Sequence, residues 1–303
     1  MKNRILLYLI ALLPSAGSAQ YHWDFGGSVG ASNYLGDIGG EIETRKDFVA
    51  DIKFSQTHFA LNGFARYKAH PNISVIAALN YGRISGSDKL STNPGRNARN
   101  LNFRNDLFEL TVDGQFFFYE INDIGRGYRY RNDFRTFVFA GLGGLYHNPK
   151  GQLNDQGSYI KLQPLKTEGV KYSKFQFVIP SGVGFYFTIS KQHRVGWELG
   201  WRKTFTDYLD DISTVYADPT TLPSQLAIDM ANQTGFVYTP ADDIYYSFQP
   251  GSKRGDPTHN DSYMYTMASY SYVIRGKSKF SRARYKSYFR KGKYKKRKIR
   301  AKF

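Results

Sequence analysis

The chain contains no cysteine. Disulfides and thiolate metal sites are therefore excluded, and no lipid-anchoring cysteine follows the N-terminus. Beyond the first residues no apolar run reaches the 18 or more needed for a membrane-spanning helix. No Gly-x-Ser-x-Gly, His-Glu-x-x-His or phosphate loop occurs. The six histidines, at 22, 58, 70, 147, 193 and 259, form no pair at metal-ligand spacing. With no nucleophile–base pair and no cofactor motif, the expectation is a protein that is not an enzyme and carries no cofactor. Acid is also absent from one place: residues 276–303 hold no Asp or Glu.

What is present begins with a leader. Lys2 and Arg4 precede the apolar run Ile5 to Leu13, and Gly17-Ser18-Ala19 supplies small residues for cleavage. This order is that of a secretory signal peptide over residues 1–19, too short in its apolar part to span a bilayer.

The charge is unevenly distributed. Of the formal net charge of +17, residues 276–303 contribute fourteen and the leader two, leaving about +1 for residues 20–275. Aromatic residues make up 17% of the chain, with 24 Tyr and 23 Phe. So high a share suits a body whose outer face meets lipid and whose rims meet headgroups.

That body alternates with period two. Between Leu107 and Phe118, residues Phe108, Leu110, Val112, Phe116 and Phe118 fall on one face, and Glu109, Thr111, Asp113 and Gln115 on the other. Successive strand side chains point to opposite faces, so the segment separates apolar from polar. The same pattern recurs near residues 21–29, 59–68, 73–83, 134–146, 174–187, 195–202 and 263–274. Eight strands result, each long enough to cross a bilayer at a tilt.

The connections alternate as well. His70-Pro71-Asn72 and Ser190 to His193 are short, whereas the link from Asp207 to Asp261 is the longest, and Ile121 to Asp133 is intermediate. The expected fold class is all-β: an eight-stranded antiparallel transmembrane β-barrel with long external loops and a basic C-terminal tail. Both barrel ends, and the tail with them, are then expected in the periplasm, and the chain in an outer membrane. In so narrow a barrel side chains fill the interior. Asp24, Arg66, Glu109, Asp113, Glu198 and Arg202 are expected to form a mutually neutralising polar core. Pro180 removes a ladder donor, and a bulge or bend is expected there.

Two smaller features have bland readings. Asp207, Asp210 and Asp211 could gather Ca²⁺ by oxygen ligation, though loop capping explains them as well. Arg254-Gly255-Asp256 matches an adhesion tripeptide, a match short enough to arise by chance.

Six stretches together carry a family resemblance. They are Ser32 to Asp37, Ala98 to Arg104, Phe139 to Gly143, Leu162 to Gly169, Trp201 to Tyr216, and Arg254 to Pro257 followed by Asn260-Asp261. In order and spacing they resemble the PorG-like small outer-membrane barrel of the type IX secretion system of Bacteroidetes, over residues 20–275. The resemblance implies a non-catalytic subunit tying a periplasmic ring, built from a lipoprotein and its partner, to the outer membrane. The alternative is a stand-alone barrel acting as adhesin or surface receptor through its long loops. Residues 276–303 depart from the family pattern, which ends near the last strand.

The tail cations are Lys277, Lys279, Arg282, Arg284, Lys286, Arg290, Lys291, Lys293, Lys295, Lys296, Arg297, Lys298, Arg300 and Lys302. Three uses compete. They could hold an acidic face of the ring proteins, lie on anionic inner-leaflet lipid with Phe280, Tyr285, Tyr288 and Phe289 at the interface, or remain solvated. Export leaves no nucleic acid within reach, so no nucleic-acid partner is expected.

Overall fold

The computed structural model describes residues 23–36, 38, 54–91, 93–121, 133–234, 237–239, 244–246 and 248–274. The leader (1–19), the tail (276–303) and most of the Ile121–Asp133 connection lie outside the described residues, as do the expectations placed on them.

Eight long strands make the body: β1 (Trp23–Leu35), β2 (His58–His70), β3 (Ile73–Ser87), β4 (Asn102–Ile121), β5 (Asp133–Tyr146), β6 (Phe175–Ile189), β7 (His193–Thr204) and β8 (Ser262–Ile274). Each pairs antiparallel with its sequence neighbour, β3 pairs with β4, and β1 pairs with β8 along its whole length from Trp23↔Ile274 to Leu35↔Ser262. No edge is left among these eight strands, so the sheet is a closed up-and-down barrel. The short turns at Pro71-Asn72 and Ser190 to Gln192 share one end with Trp23 and Ile274. The long connections share the other.

The outer face is apolar where the sequence alternation puts it. Phe108, Leu110, Val112, Phe116 and Phe118 are all about half exposed, while Glu109, Thr111, Asp113 and Gln115 are buried. In water such a face would be a large liability; in a bilayer it is the solvent-facing surface. Along β4 this outward row begins after the charged Arg104 and Asp106 and runs to Phe118, where a bulge against β5 shifts the alternation and exposes Tyr119 and Ile121 in turn. From Phe108 to Phe118 is ten residues; at ~3.3 Å per residue and a tilt of ~40° the band is about 25 Å tall, the height of a bilayer-spanning belt. Aromatic residues mark both rims. Tyr81 and Phe108 (5.2 Å between ring centroids) and Tyr146 and Phe175 (5.0 Å) lie at the long-loop end. Trp23 and Tyr67 (4.9 Å) and Phe134 and Phe187 (4.8 Å) lie at the other. None of the described helices is long and apolar enough to cross a membrane, which leaves the strands as the elements that could.

Inside, Phe117, Phe137, Phe139 and Tyr186 form an aromatic layer toward the short-turn end. Tyr34, Leu107, Leu145, Leu209, Ile212, Tyr263 and Tyr265 belong to a larger cluster toward the loops. Buried charges accompany both. Asp24 accepts from Arg66 at 3.1 Å, from Arg194 at 2.5 Å and from Ser271 at 3.0 Å. Glu109 accepts from Arg202 at 3.2 Å, Asn80 at 3.2 Å and Tyr263 at 2.5 Å. Carboxylates so paired tolerate a dry interior. Among the described residues, Asp113 accepts one hydrogen bond, from the Thr111 hydroxyl at 3.3 Å. Glu198 faces the same lumen without a direct ion pair, in electrostatic reach of Arg202 and Arg66. The six expected core residues thus line one interior, but Asp113 and Glu198 are not matched one-to-one. Gly141 is needed beside them, because a β-carbon there would collide with Asp113 Oδ1.

Of the bulge or bend expected at Pro180, no bulge forms. The β6–β7 register runs unbroken through Pro180↔Arg202, and β5–β6 keeps one register on either side of a gap between Ala140↔Ser181 and Gly143↔Val178. Losing one N–H opens the ladder locally without inserting a residue. The neighbours continue the strand on both sides.

Candidate functional site

The described parts of the connections at the open end, chiefly residues 88–101, 147–174, 205–234 and 248–261, fold over it as a cap. Its parts have local causes. In α1 (Pro94–Arg99), the Asn93 side chain accepts from Arg96 N at 3.1 Å, Pro94 occupies the first turn, and Asn100 ends the helix in the left-handed region at φ 56°. This is a helix with a start signal and a stop signal in six residues. The stop carries Arg99 into the cap. A second helix, α2 (Gln225–Ala231), starts at Ser224, whose side chain accepts from Ala227 N. Its Ala227, Met230 and Ala231 turn inward. A small hairpin, Lys150–Leu153 with Gln156–Lys161, extends the sheet beyond β4.

At the centre of the cap lies a buried polar network. Arg99 forks onto Asp88, with Nε to Oδ2 at 2.7 Å and Nη2 to Oδ1 at 2.8 Å, and its Nη1 donates to the Arg254 carbonyl at 2.5 Å. Arg254 in turn donates to Glu168 Oε1 at 2.9 Å and to the Asp211 carbonyl at 2.7 Å. Glu168 also takes the backbone N–H groups of Ser213 (2.9 Å) and Thr214 (3.0 Å) and the Thr214 hydroxyl (2.8 Å). Asp211 accepts from the hydroxyls of Thr167 (2.5 Å) and Tyr172 (2.6 Å). The Tyr34 hydroxyl lies 2.7 Å from Asp210 and 2.6 Å from Asp261, and Asp261 also receives Leu209 N at 2.9 Å. Multiply bonded, charge-assisted contacts of this kind fix a loop in one arrangement.

The electrostatics follow from burial. Asp211 is raised to about 6 by desolvation, against the pull of Arg254 and of the Thr167 and Tyr172 hydroxyls. Tyr172 is pushed well above its ordinary value by the same burial and by the adjacent Asp211. His147, just beyond β5, is lowered to about 4 by desolvation, with its Nε2 3.1 Å from the Ser173 carbonyl.

The three carboxylates considered for Ca²⁺ do not converge. Asp210 turns to Tyr34 and to Ile212 N at 2.9 Å, while Asp211 turns to Thr167, Tyr172 and Arg254. Among the described residues no group of three or more His, Asp or Glu is arranged for a metal. Hydrogen-bond donors occupy the Asp210 and Asp211 carboxylates, and such occupancy is the loop-capping role the sequence also allowed. Arg254 of the adhesion-like tripeptide is only 4% exposed and locked to Glu168, so its guanidinium cannot be presented to a receptor.

Sequence reading missed two things here. Arg194 completes the Asp24 pairing; its spacing from Glu198 and Arg202, four residues each, places it on the same inward face and was the available signal. The Asp88–Arg99 fork had no such signal, because it depends on α1 folding back.

Among solved structures, the chain is similar to Neisserial surface protein A, with 6% identity, 85% of this chain and 100% of that one covered, and a TM-score of 0.38. It is also similar to Ail, the attachment invasion locus protein of Yersinia pestis, solved with the heparin analogue sucrose octasulfate (10% identity, 84% and 99% covered, TM-score 0.33). A third similar structure is the N-terminal β-barrel domain of Pseudomonas aeruginosa OprF (9%, 84% and 100%, 0.33). The barrel assignment itself rests on the closed strand register. No curated protein matches the chain. The profile of a domain of unknown function, DUF6089, matches residues 3–222, well over half of the chain, and the protein belongs to that family.

Proposed function

We propose that the protein is a non-catalytic outer-membrane barrel serving as an accessory subunit of type IX protein secretion, its capped end outward and its cationic tail in the periplasm. One observation supports this above others. Residues from five of the six stretches that carry the resemblance, Tyr34, Arg99, Glu168, Asp211, Arg254 and Asp261 among them, meet in one buried network. Short matches arising by chance would have no reason to meet in space. A filled lumen argues against bulk transport, and the cap carboxylates of Asp88, Glu168, Asp210, Asp211 and Asp261 are occupied by donors, which suits a structural part.

In this reading the tail cations of residues 276–303 steer and hold an acidic face of a periplasmic ring protein. Purification from native membranes under mild detergent, with mass spectrometry of what accompanies the barrel, is the test. Ring subunits should co-purify with the full chain and be reduced on deleting residues 276–303, with the barrel still folded. Recovery of the ring undiminished by the deletion contradicts the role given to the tail, and a barrel recovered alone contradicts the accessory role. A lone barrel would favour the adhesin or receptor reading, which finds support in Leu90, Val170, Val215 and Leu226, all exposed on the cap.

A further inference from the structure

The lipid-facing side of β3, β4, β5 and β6 is ordered in cross-strand rows. One row reads Leu79, Leu110, Gly144, Phe177 by direct register. The next, toward the cap, is wholly aromatic: Tyr81, Phe108, Tyr146, Phe175. Above it Arg83 pairs with Asp106, Nε to Oδ1 at 2.7 Å. Above that, Arg104, Lys150 and Lys161 stand side by side in register across β4 and the loop hairpin. Lys150 reaches down to Asp106 at 3.3 Å, and Arg104 lies over the Tyr159 ring at 3.8 Å.

Like charges placed opposite one another on a sheet destabilise it unless a counter-charge intervenes. Here four cations share the single carboxylate Asp106, which already accepts from Arg83, Lys150 and, at 3.1 Å, the Tyr81 hydroxyl. The Arg104–Lys150–Lys161 row has no acidic partner of its own among the described residues' ion pairs. The patch therefore carries a net +3, and it sits directly above the aromatic rim, where lipid headgroups lie. Below the rim, the row opens at Gly144, where a β-carbon would meet nothing within 4 Å, between Leu110 and the 79%-exposed Phe177. Same-face rows are ~7 Å apart, so charge, aromatic rim and notch succeed one another over ~20 Å. An amphiphile with a phosphorylated sugar head and acyl chains matches that order.

We infer that this face binds a phosphorylated glycolipid of the outer leaflet, with its phosphate held by Arg83, Arg104 and Lys150, its sugar against the aromatic row and an acyl chain in the Gly144 notch. The inference rests on the reading of the chain as an outer-membrane barrel with its long loops outside. Arginine forks and lysine ammonium groups are the side chains suited to phosphate oxygens.

The test uses the full-length protein in phosphatidylcholine nanodiscs. Native mass spectrometry would follow binding of bisphosphorylated lipid A and of the same lipid with both phosphates removed. Wild type should prefer the bisphosphorylated form by about tenfold or more. Arg104→Gln with Lys150→Gln should abolish that preference, and Lys161→Gln alone should weaken it. Lys191→Gln, in the β6–β7 turn at the opposite end of the barrel, should leave it intact. Equal binding of the two lipids, or equal loss in the Lys191→Gln control, overturns the proposal. Displacement of the lipid by millimolar inorganic phosphate would also overturn it, identifying free phosphate as the occupant. Failure of wild type to enter the nanodisc, or to show the heat-dependent gel shift of a folded barrel, would overturn the barrel reading beneath it. That outcome is distinct from an embedded barrel without lipid preference.

Discussion

Asp211 shows two forces acting on one carboxylate. Burial raises it to about 6, while Arg254 and two hydroxyls pull the other way. Unfolded, an aspartate titrates near 3.9. Between those values the folded chain binds the proton more tightly than the unfolded one. The stabilisation this group gives is therefore complete below about pH 4 and is lost as pH rises to about 6, a change of about 3 kcal/mol. His147 has the opposite slope, since burial lowers it to about 4 and its contribution fades as pH falls below about 6.5. A comparison of Asp211→Asn with wild type isolates the first effect. Between pH 4 and pH 7 the stability difference, read from urea unfolding, should move in the variant's favour by about 2 kcal/mol. A difference that stays level with pH would mean Asp211 is not desolvated in the cap.

At this scale the sequence was only partly readable. The three aspartates 207, 210 and 211 stood out as a cluster, but their partners did not. Tyr34 and Asp261 meet across 227 residues, and nothing local in either announces the contact. Arg194 was readable by its spacing alone, while Arg99 needed the folding of α1.

At the scale of one element, β4 was the most legible, for a physical reason. It separates two solvents, lipid outside and a packed polar lumen inside, and so each alternate residue answers to a different one. The loop-side boundary of the lipid band was legible too, in the change from Phe108 to Asp106, whereas the bulge at Phe118 that shifts the alternation was not. At Pro180 the missing donor allowed a bulge or a bend, and Pro180↔Arg202 keeps its register, so no bulge forms and the ladder to β5 only opens locally. A charge at the centre of the outer row should be expensive. Leu110→Arg should destabilise the barrel in vesicles by about 2–4 kcal/mol, less toward the rims. A loss below about 0.5 kcal/mol would mean that Leu110 does not face hydrocarbon.

At the scale of the whole molecule, closure is what joins the parts. β1 and β8, at the two ends of the described chain, pair over thirteen positions, leaving no exposed strand edge in the barrel. That pairing brings Tyr34 beside the Asp261 segment and lets the long connections meet over one mouth. The fold class was legible from repeated alternation and unequal connections. The cap was not, because its hydrogen bonds join loops brought together only once the barrel has closed.

The central claim is that β4 crosses a bilayer with Phe108 to Phe118 facing lipid. The absence of cysteine makes a direct measurement clean, since each introduced cysteine is the only label site. Single cysteines placed in turn from 104 to 120, spin-labelled in reconstituted vesicles, would report access to lipid-soluble oxygen and to a water-soluble nickel reagent. Oxygen access should peak at 108, 110, 112, 114, 116 and 118, with low access to both reagents at the positions between. Nickel access should return at 104. Nickel access throughout the outward series, or no two-residue alternation, would contradict a lipid-embedded barrel.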